Sequence, residues 1–295
     1  MRRLLTAVAV TATAVSLAAC GSSGGSNGNS SGAGGNSSSN STSSAPSCSP
    51  WTMKTHSGNT LTVATDSPAY EPWFSDNKPS NGKGFESAVA FAVAKQLGYT
   101  DAQVKWVTAP FNSVIAPTPK RYDFDINEVS ITPARAKAVD FSSGYYDVAQ
   151  AVVMFTKNKY ANATTIAGLK GAKLGAQQGT TSFTAIGNQL KTGKTPGEFP
   201  TNDLAVQALK NGQIDGLVVD LPTGLYLTAA ELDGAKIVGQ LPVVGQPEQF
   251  GLVLEKGSSL TACVTGAVDA LRANGTLARL QAQWLTTSAG APVLK

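Results

Sequence analysis

Apolar and polar positions follow two rhythms along this chain. Short, mainly apolar runs read as strands: LTVATD (61–66), VKWVTA (104–109), FDI (124–126), AQAVVMF (149–155), KLGAQ (173–177), GLVVD (216–220), KIVGQLPVV (236–244) and FGLVLE (250–255). Longer stretches of strong helix formers fall between them: FESAVAFAVAKQLG (85–98), closed by a capping glycine, LAVQALKNG (204–212), and a Leu/Ala-rich segment near 222–232. Two helices end the pattern, from about Ser259 to Asn274 and from Thr276 to Leu285, broken at Asn274-Gly275. Alternation of this kind predicts an α/β fold with open, mostly parallel sheets. Ligands of such sheets sit beyond the carboxyl ends of the strands, so the loops after Asp66, Ala109, Ile126, Ala176 and Val219 are where function is expected. No internal repeat is evident.

The amino terminus breaks both rhythms. Arg2 and Arg3 precede LLTAVAVTATAVSL and then Leu17-Ala18-Ala19-Cys20, which reads as a secretory signal over residues 1–19. LAAC resembles a bacterial lipobox, whose cysteine becomes the lipidated first residue; an ordinary signal peptide with a chance cysteine is the alternative. Residues 21–47 are almost wholly Gly, Ser, Asn and Thr, with no apolar face to bury, and read as a disordered linker that runs to about residue 49. Its average reach is ~30 Å. Nearly 250 residues remain, which suits two medium lobes better than one core.

Charge narrows the partners. Without the signal, 21 basic residues face 19 acidic ones, a net +2 with no basic run, so nucleic acid is not expected. His56 is the single histidine, and the carboxylates show no metal-ligand spacing; no metal or cofactor is expected. With Cys20 lipidated, Cys48 and Cys263 are left outside the cytoplasm, either bridged, which is the expectation, or as separate thiols.

The segment SITPARAKAVDFSSGYY (130–146) carries the most chemistry. Thr132 can cap a helix and Pro133 suits its first position. Arg135 would then fall in the first turn, beside the hydroxyls of Ser130 and Thr132, where its planar fork can take a carboxylate. The bland alternative is a surface arginine paired with Asp140. GAQQGTTSF (175–183) is a strand, a glycine turn and a second helix start, with Thr181 at its head. Asp220 ends the apolar strand GLVV, placed either to meet an ammonium or to cap the next helix. Tyr70, Trp73 and Phe111 follow the first two strands and can flank a side chain or pack in the core. There is no catalytic triad, P-loop or GxGxxG after a strand, which favours binding over chemistry.

GFESAVAFAVAKQLG, FDINEVSITPARAKAVDFSSGYY, GAQQGTTSF, GQIDGLVVD and GTLARLQAQWL, in that order, resemble the polar-amino-acid solute-binding proteins of bacterial ABC importers over residues 55–287. That resemblance implies a type II periplasmic-binding-protein flytrap with two hinge crossings, near 146–151 and 244–249. Lobe 1 would be 50–150 plus 246–295, and lobe 2 would be 151–245. It further implies a monomer on the extracellular face of the membrane, with an ABC permease as partner and a free amino acid as ligand. Arg135, Ser130 and Thr181 would hold the α-carboxylate, Asp220 the α-ammonium, Tyr70 and Phe111 would flank the side chain, and Asp66 would reach its end. Two departures stand out: Glu86 where the family often has Asp, and Glu128 where it has a small residue. Glu128 with Asp66 points to a cationic or amide side chain. The rival readings are an enzyme on the same scaffold, resembling cyclohexadienyl dehydratases, and an amino-acid sensor.

Overall fold

Apolar runs without polar alternation become strands covered on both faces. In β5 (Gln150–Phe155) Val152 and Met154 pack with Leu174, Ile186 and Val218, while Val153 faces Leu209, Leu217 and Val219. In β1 (Leu61–Thr65) Leu61 and Val63 join Phe85, Val89 and Phe124, whereas Ala64 joins Phe111 and Val253. A computed structural model describes residues 48–285 and 291–295. The segments read as signal peptide, lipidated Cys20 and linker lie outside those residues. Among the described residues no helix is long and apolar enough to cross a membrane.

The first sheet runs in the order β2 (Val104–Thr108), β1, β3 (Phe124–Asp125), β10 (Glu248–Glu255), β4 (Val139–Val148). The second runs β7 (Gly197–Phe199), β6 (Leu174–Gln177), β8 (Gly216–Asp220), β5, β9 (Ala235–Gln240). Helices α1 (Phe85–Gln96), α6 (Thr261–Ala273) and α7 (Thr276–Trp284) cover the first sheet, and α2 (Phe111–Val114) lies on its other face. The second sheet carries α3 (Thr181–Ala185), α4 (Asn202–Lys210) and α5 (Leu221–Tyr226). A disulfide joins Cys48 to Cys263 of α6 across a sequence separation of 215.

In each sheet one strand opposes the rest: β10 is antiparallel to β3 and β4, and β5 to β8 and β9. The path of the chain explains this. β4 ends at Val148, and only Ala149 separates it from β5; residues 241–247 return from β9 to β10. Both passages leave from the carboxyl edge of one sheet and enter at the carboxyl edge of the other, so each arriving strand must run against its neighbours. The Ala149 carbonyl accepts the Leu221 N–H (2.8 Å) and the Gln150 carbonyl accepts the Leu241 N–H (2.7 Å), which pins the junction. The carboxyl edges of the two sheets consequently face each other.

Sequence expectation and structure differ at three places. The helix expected from Thr132 is a single 3-10 turn, Arg135–Lys137, after which the chain enters β4. Serine-rich VDFSSGYYDV is not among the strands expected from the sequence, yet it pairs with β10, and the Ser142 hydroxyl accepts the Leu252 N–H (2.9 Å) where the ladder is irregular. Residues 291–295, expected in the first lobe, lie along the edge of β9: Gln240 bridges Val293, and Leu294, 2% exposed, enters the second sheet's core.

Candidate functional site

Asp66, Tyr70, Phe111, Glu128, Arg135, Thr181 and Asp220, far apart in sequence, line one cleft between the facing sheet edges, roughly 650 Å³ counting its open mouth. That size suits a small molecule. Ser130, 1% exposed, stands behind the lining: its carbonyl takes an Arg135 N–H, and its hydroxyl meets the Thr181 hydroxyl (3.3 Å) and the Glu248 carboxylate.

Arg135 is 9% exposed. Its Nη1 donates to the Ser130 carbonyl (2.7 Å), its Nη2 to the Gly179 carbonyl (2.9 Å), and its guanidinium lies 5.4 Å from the Phe111 ring centre. Two braced nitrogens and a ring fix the plane of the fork, leaving donors for an anion. Gly179 has φ +74°, and a Cβ there would meet Asn112 Oδ1 at 2.7 Å, so glycine is needed where the guanidinium is braced. Asp140 pairs with Lys256 (3.0 Å), not with Arg135. The helix-start amides expected to cradle an anion are used locally: Thr132 Oγ1 accepts from Arg135 N (3.2 Å) and the Thr132 carbonyl accepts from Ala136 N (2.9 Å). What is left for an anion in this segment is the side chain.

Asp220 occupies the N-cap position of α5 but makes no capping bond. Its Oδ1 instead accepts Gln150 Nε2 (2.6 Å), and Gln150 Oε1 accepts the Ser182 hydroxyl (2.6 Å). Burial, then the Glu248 charge, pushes the Asp220 carboxyl well above the ordinary range. Gln150 was missed from sequence, although a lone amide in a strand buried on both faces must be bonded to something and is a usable signal.

Acids crowd the rest of the floor. Asp66 accepts N–H bonds from Ser67 (2.7 Å) and Phe111 (3.3 Å), yet burial raises its pKa. Glu128 has a left-handed backbone, φ 52°, and donates its N–H to Glu86 Oε1 (2.7 Å). Burial, then Glu86 and Asp220, push Glu128 up. Glu86 is fully buried, also accepts the Tyr145 hydroxyl, and is pushed up to about 7 by burial. Asp125 is sealed beneath, both oxygens unpartnered, and is raised well above its usual value by burial and then by Glu86. The lining holds three carboxylates, Asp66, Glu128 and Asp220, against one basic residue, Arg135.

Several contacts span the two sheets. Tyr70 donates its hydroxyl to Asp203 of α4, Trp73 Nε1 donates to Thr223 Oγ1 (2.7 Å), and Thr223 donates to Glu128 Oε2 (3.0 Å). With Arg135 on Gly179 and Ser130 on Thr181, they hold the cleft closed. Trp73 is fully buried against Phe85, Tyr146 and Phe250, so it packs in the core rather than flanking the cleft. Asp203 and Thr223 carry no sequence signal of their own.

Two α/β lobes joined by strand crossings, with a polar cleft between their facing edges, define a type II periplasmic binding protein. This chain belongs to the bacterial extracellular solute-binding proteins, family 3, whose profile matches residues 61–287. It is 32% identical to the ABC transporter arginine-binding protein 1 of Escherichia coli (strain K12), over 74% of this chain and 88% of that one. Among solved structures it is similar to an ancestral arginine-binding protein bound to arginine (32% identical, TM-score 0.64, 76% of this chain and 97% of that one). It is also similar to the ancestral amino acid-binding protein AncCDT-1, a precursor of cyclohexadienyl dehydratase (29%, TM-score 0.63, 77% and 95%). Its relatives by sequence are binding proteins for transport, not enzymes.

Proposed function

We propose that this chain captures a free amino acid with a cationic side chain, or failing that an amide one, between its lobes and delivers it to an ABC permease. The observation that carries this reading is the charge balance of the lining. A zwitterion uses Arg135 for its carboxylate, with Thr181 and the Ser130 backing, and Asp220 for its ammonium. Asp66 and Glu128 are then left without a counter-charge, and a positive side chain between Tyr70 and Phe111 supplies it. The arginine-binding names of its relatives point the same way. The protein acts as a monomer on the outer face of the membrane, held through lipid on Cys20 by the linker of residues 21–47.

Closure is part of the mechanism. Arg135 and Asp220 come from different sheets, so only the closed form offers both to one ligand, and ligand shifts the population toward closure. A thermal-shift screen against the twenty amino acids tests the assignment. Ligand at 100 times its Kd adds about 2.7 kcal/mol to stability, and arginine or lysine is expected to give the largest upward shift. A flat response to all twenty refutes the reading.

A further inference from the structure

Trp73, Thr223 and Glu128 form a directed chain, of which only Glu128 belongs to the charge balance of the lining. An indole N–H can only donate, so Thr223 Oγ1 must accept from Trp73 Nε1 (2.7 Å). The hydroxyl has one proton, and it goes to Glu128 Oε2 (3.0 Å). Oε2 of Glu128 is thereby fixed as an acceptor, and the other carboxyl oxygen is the one left for the cleft that Glu128 lines. The backbone cannot turn away to relieve this, because Glu128 sits at φ 52° with its N–H held by Glu86 Oε1 (2.7 Å). Thr223 comes from the second lobe, three residues after Asp220 on α5, and is 2% exposed. Trp73 and Glu128 come from the first lobe. The chain exists only when the lobes meet.

We infer that Thr223 is a positioning residue that, on closure, orients Glu128 as the acceptor selecting a charged donor on the ligand side chain. This rests on the amino-acid reading above and adds to it how the side chain is discriminated. A carboxylate whose Oε2 is held by Thr223 has its rotation restrained and keeps its other oxygen free to accept from the ligand. An uncharged donor of the same length gains less from it than a cation does. Without the hydroxyl, the carboxyl is free to rotate between Glu86, Asp220 and Asp66, whose charges disfavour its ionised form.

The test is isothermal titration with L-arginine and with L-citrulline, equal in side-chain length but carrying a neutral urea. The intact protein is expected to prefer arginine. Thr223→Val should cut that preference about tenfold or more, Thr223→Ser should restore it, and Glu128→Gln should cut it similarly. In Glu128→Gln, adding Thr223→Val should change the ratio little further, because both act through one carboxyl. Equal weakening of both ligands by Thr223→Val, additive effects of the two substitutions, or an unaltered protein that prefers citrulline would each overturn the proposal while leaving amino-acid capture intact. Failure of the unaltered protein to bind either ligand would overturn this proposal, and only a flat response to all twenty amino acids would sink the capture reading with it. Should Thr223→Val misfold, Trp73→Phe, which frees the hydroxyl to rotate, must lower the ratio in the same sense, and an unmoved ratio there refutes the chain.

Discussion

Arg135 is the single cationic group of the lining, and its replacement by lysine and by alanine separates charge from shape. A ligand carboxylate bound by the fork takes two parallel charge-assisted bonds, each contributing roughly 1.5–3 kcal/mol. Alanine removes both, about 3–6 kcal/mol, or on the order of 10²–10⁴-fold in Kd. It also strips the Ser130 and Gly179 carbonyls of their donor and leaves Asp220 and Glu248 without the guanidinium that offsets them, so the upper half of that range is expected. Lysine keeps the charge but offers no planar pair of donors, and a loss of about 10–100-fold is expected. The assay is isothermal titration with L-arginine, beside circular dichroism and thermal unfolding to establish that each variant is folded. Folded Arg135→Ala that binds within threefold of the unaltered protein would refute the carboxylate assignment. Lysine and alanine variants losing the same amount would refute the role of the fork.

Other outcomes follow from the same geometry. Gln150→Leu removes the amide that holds Asp220 and Ser182, and should weaken every amino-acid ligand about tenfold; loss confined to cationic ligands would contradict the ammonium role of Asp220. Glu86 is protonated in the folded state up to about pH 7 but ionises near 4.5 when unfolded, so its contribution to stability is present below pH 4.5 and lost as pH rises toward 7, on the order of 3 kcal/mol. Glu86→Gln should lack that slope, and urea unfolding of the two proteins with parallel pH dependence would disprove it. Affinity for arginine should be lower in an acidic titration than in one at about pH 8, because burial raises Asp66, Glu128 and Asp220 above the ordinary carboxylate range and they take up protons sooner than exposed carboxylates. Glu86, Asp125 and Glu248 share that field, Arg135 opposes it, and titrations at the two pH values that agree would exclude the effect. Reducing the Cys48–Cys263 bond, which closes a loop of 215 residues, should cost up to about 5 kcal/mol, read as a lower urea midpoint with dithiothreitol. An unchanged midpoint would mean the bond contributes nothing.

Much of this arrangement is legible in the sequence. The apolar runs at 61–66, 149–155 and 216–220 became β1, β5 and β8, because strands covered on both faces cannot afford polar alternation. Asp66, Glu128 and Asp220 fell at or just past the carboxyl ends of strands, where an α/β chain keeps its ligand, and Arg135 fell in the segment that follows β3. β4 stayed hidden because its serines and glycine mimic a loop, while a strand beside β10 needs only partners for its backbone. The residues that close the cleft were invisible for another reason. Tyr70 and Asp203 are 133 positions apart, and Trp73 and Thr223 are 150 apart, so no local spacing encodes their meeting. Glu86 sits in an apolar helix face, where its charge reads as an exception and its bond to the Glu128 N–H cannot be foreseen.

The junction at Ala149 sets how the two bodies can move. A joint one residue long spans under ~4 Å and has two soft torsions, so it can turn but not lengthen. The seven-residue return strap at 241–247 has slack enough to follow. That joint permits rotation of one lobe against the other and forbids their separation, and any such rotation is largest at the rim where Tyr70 and Asp203 touch.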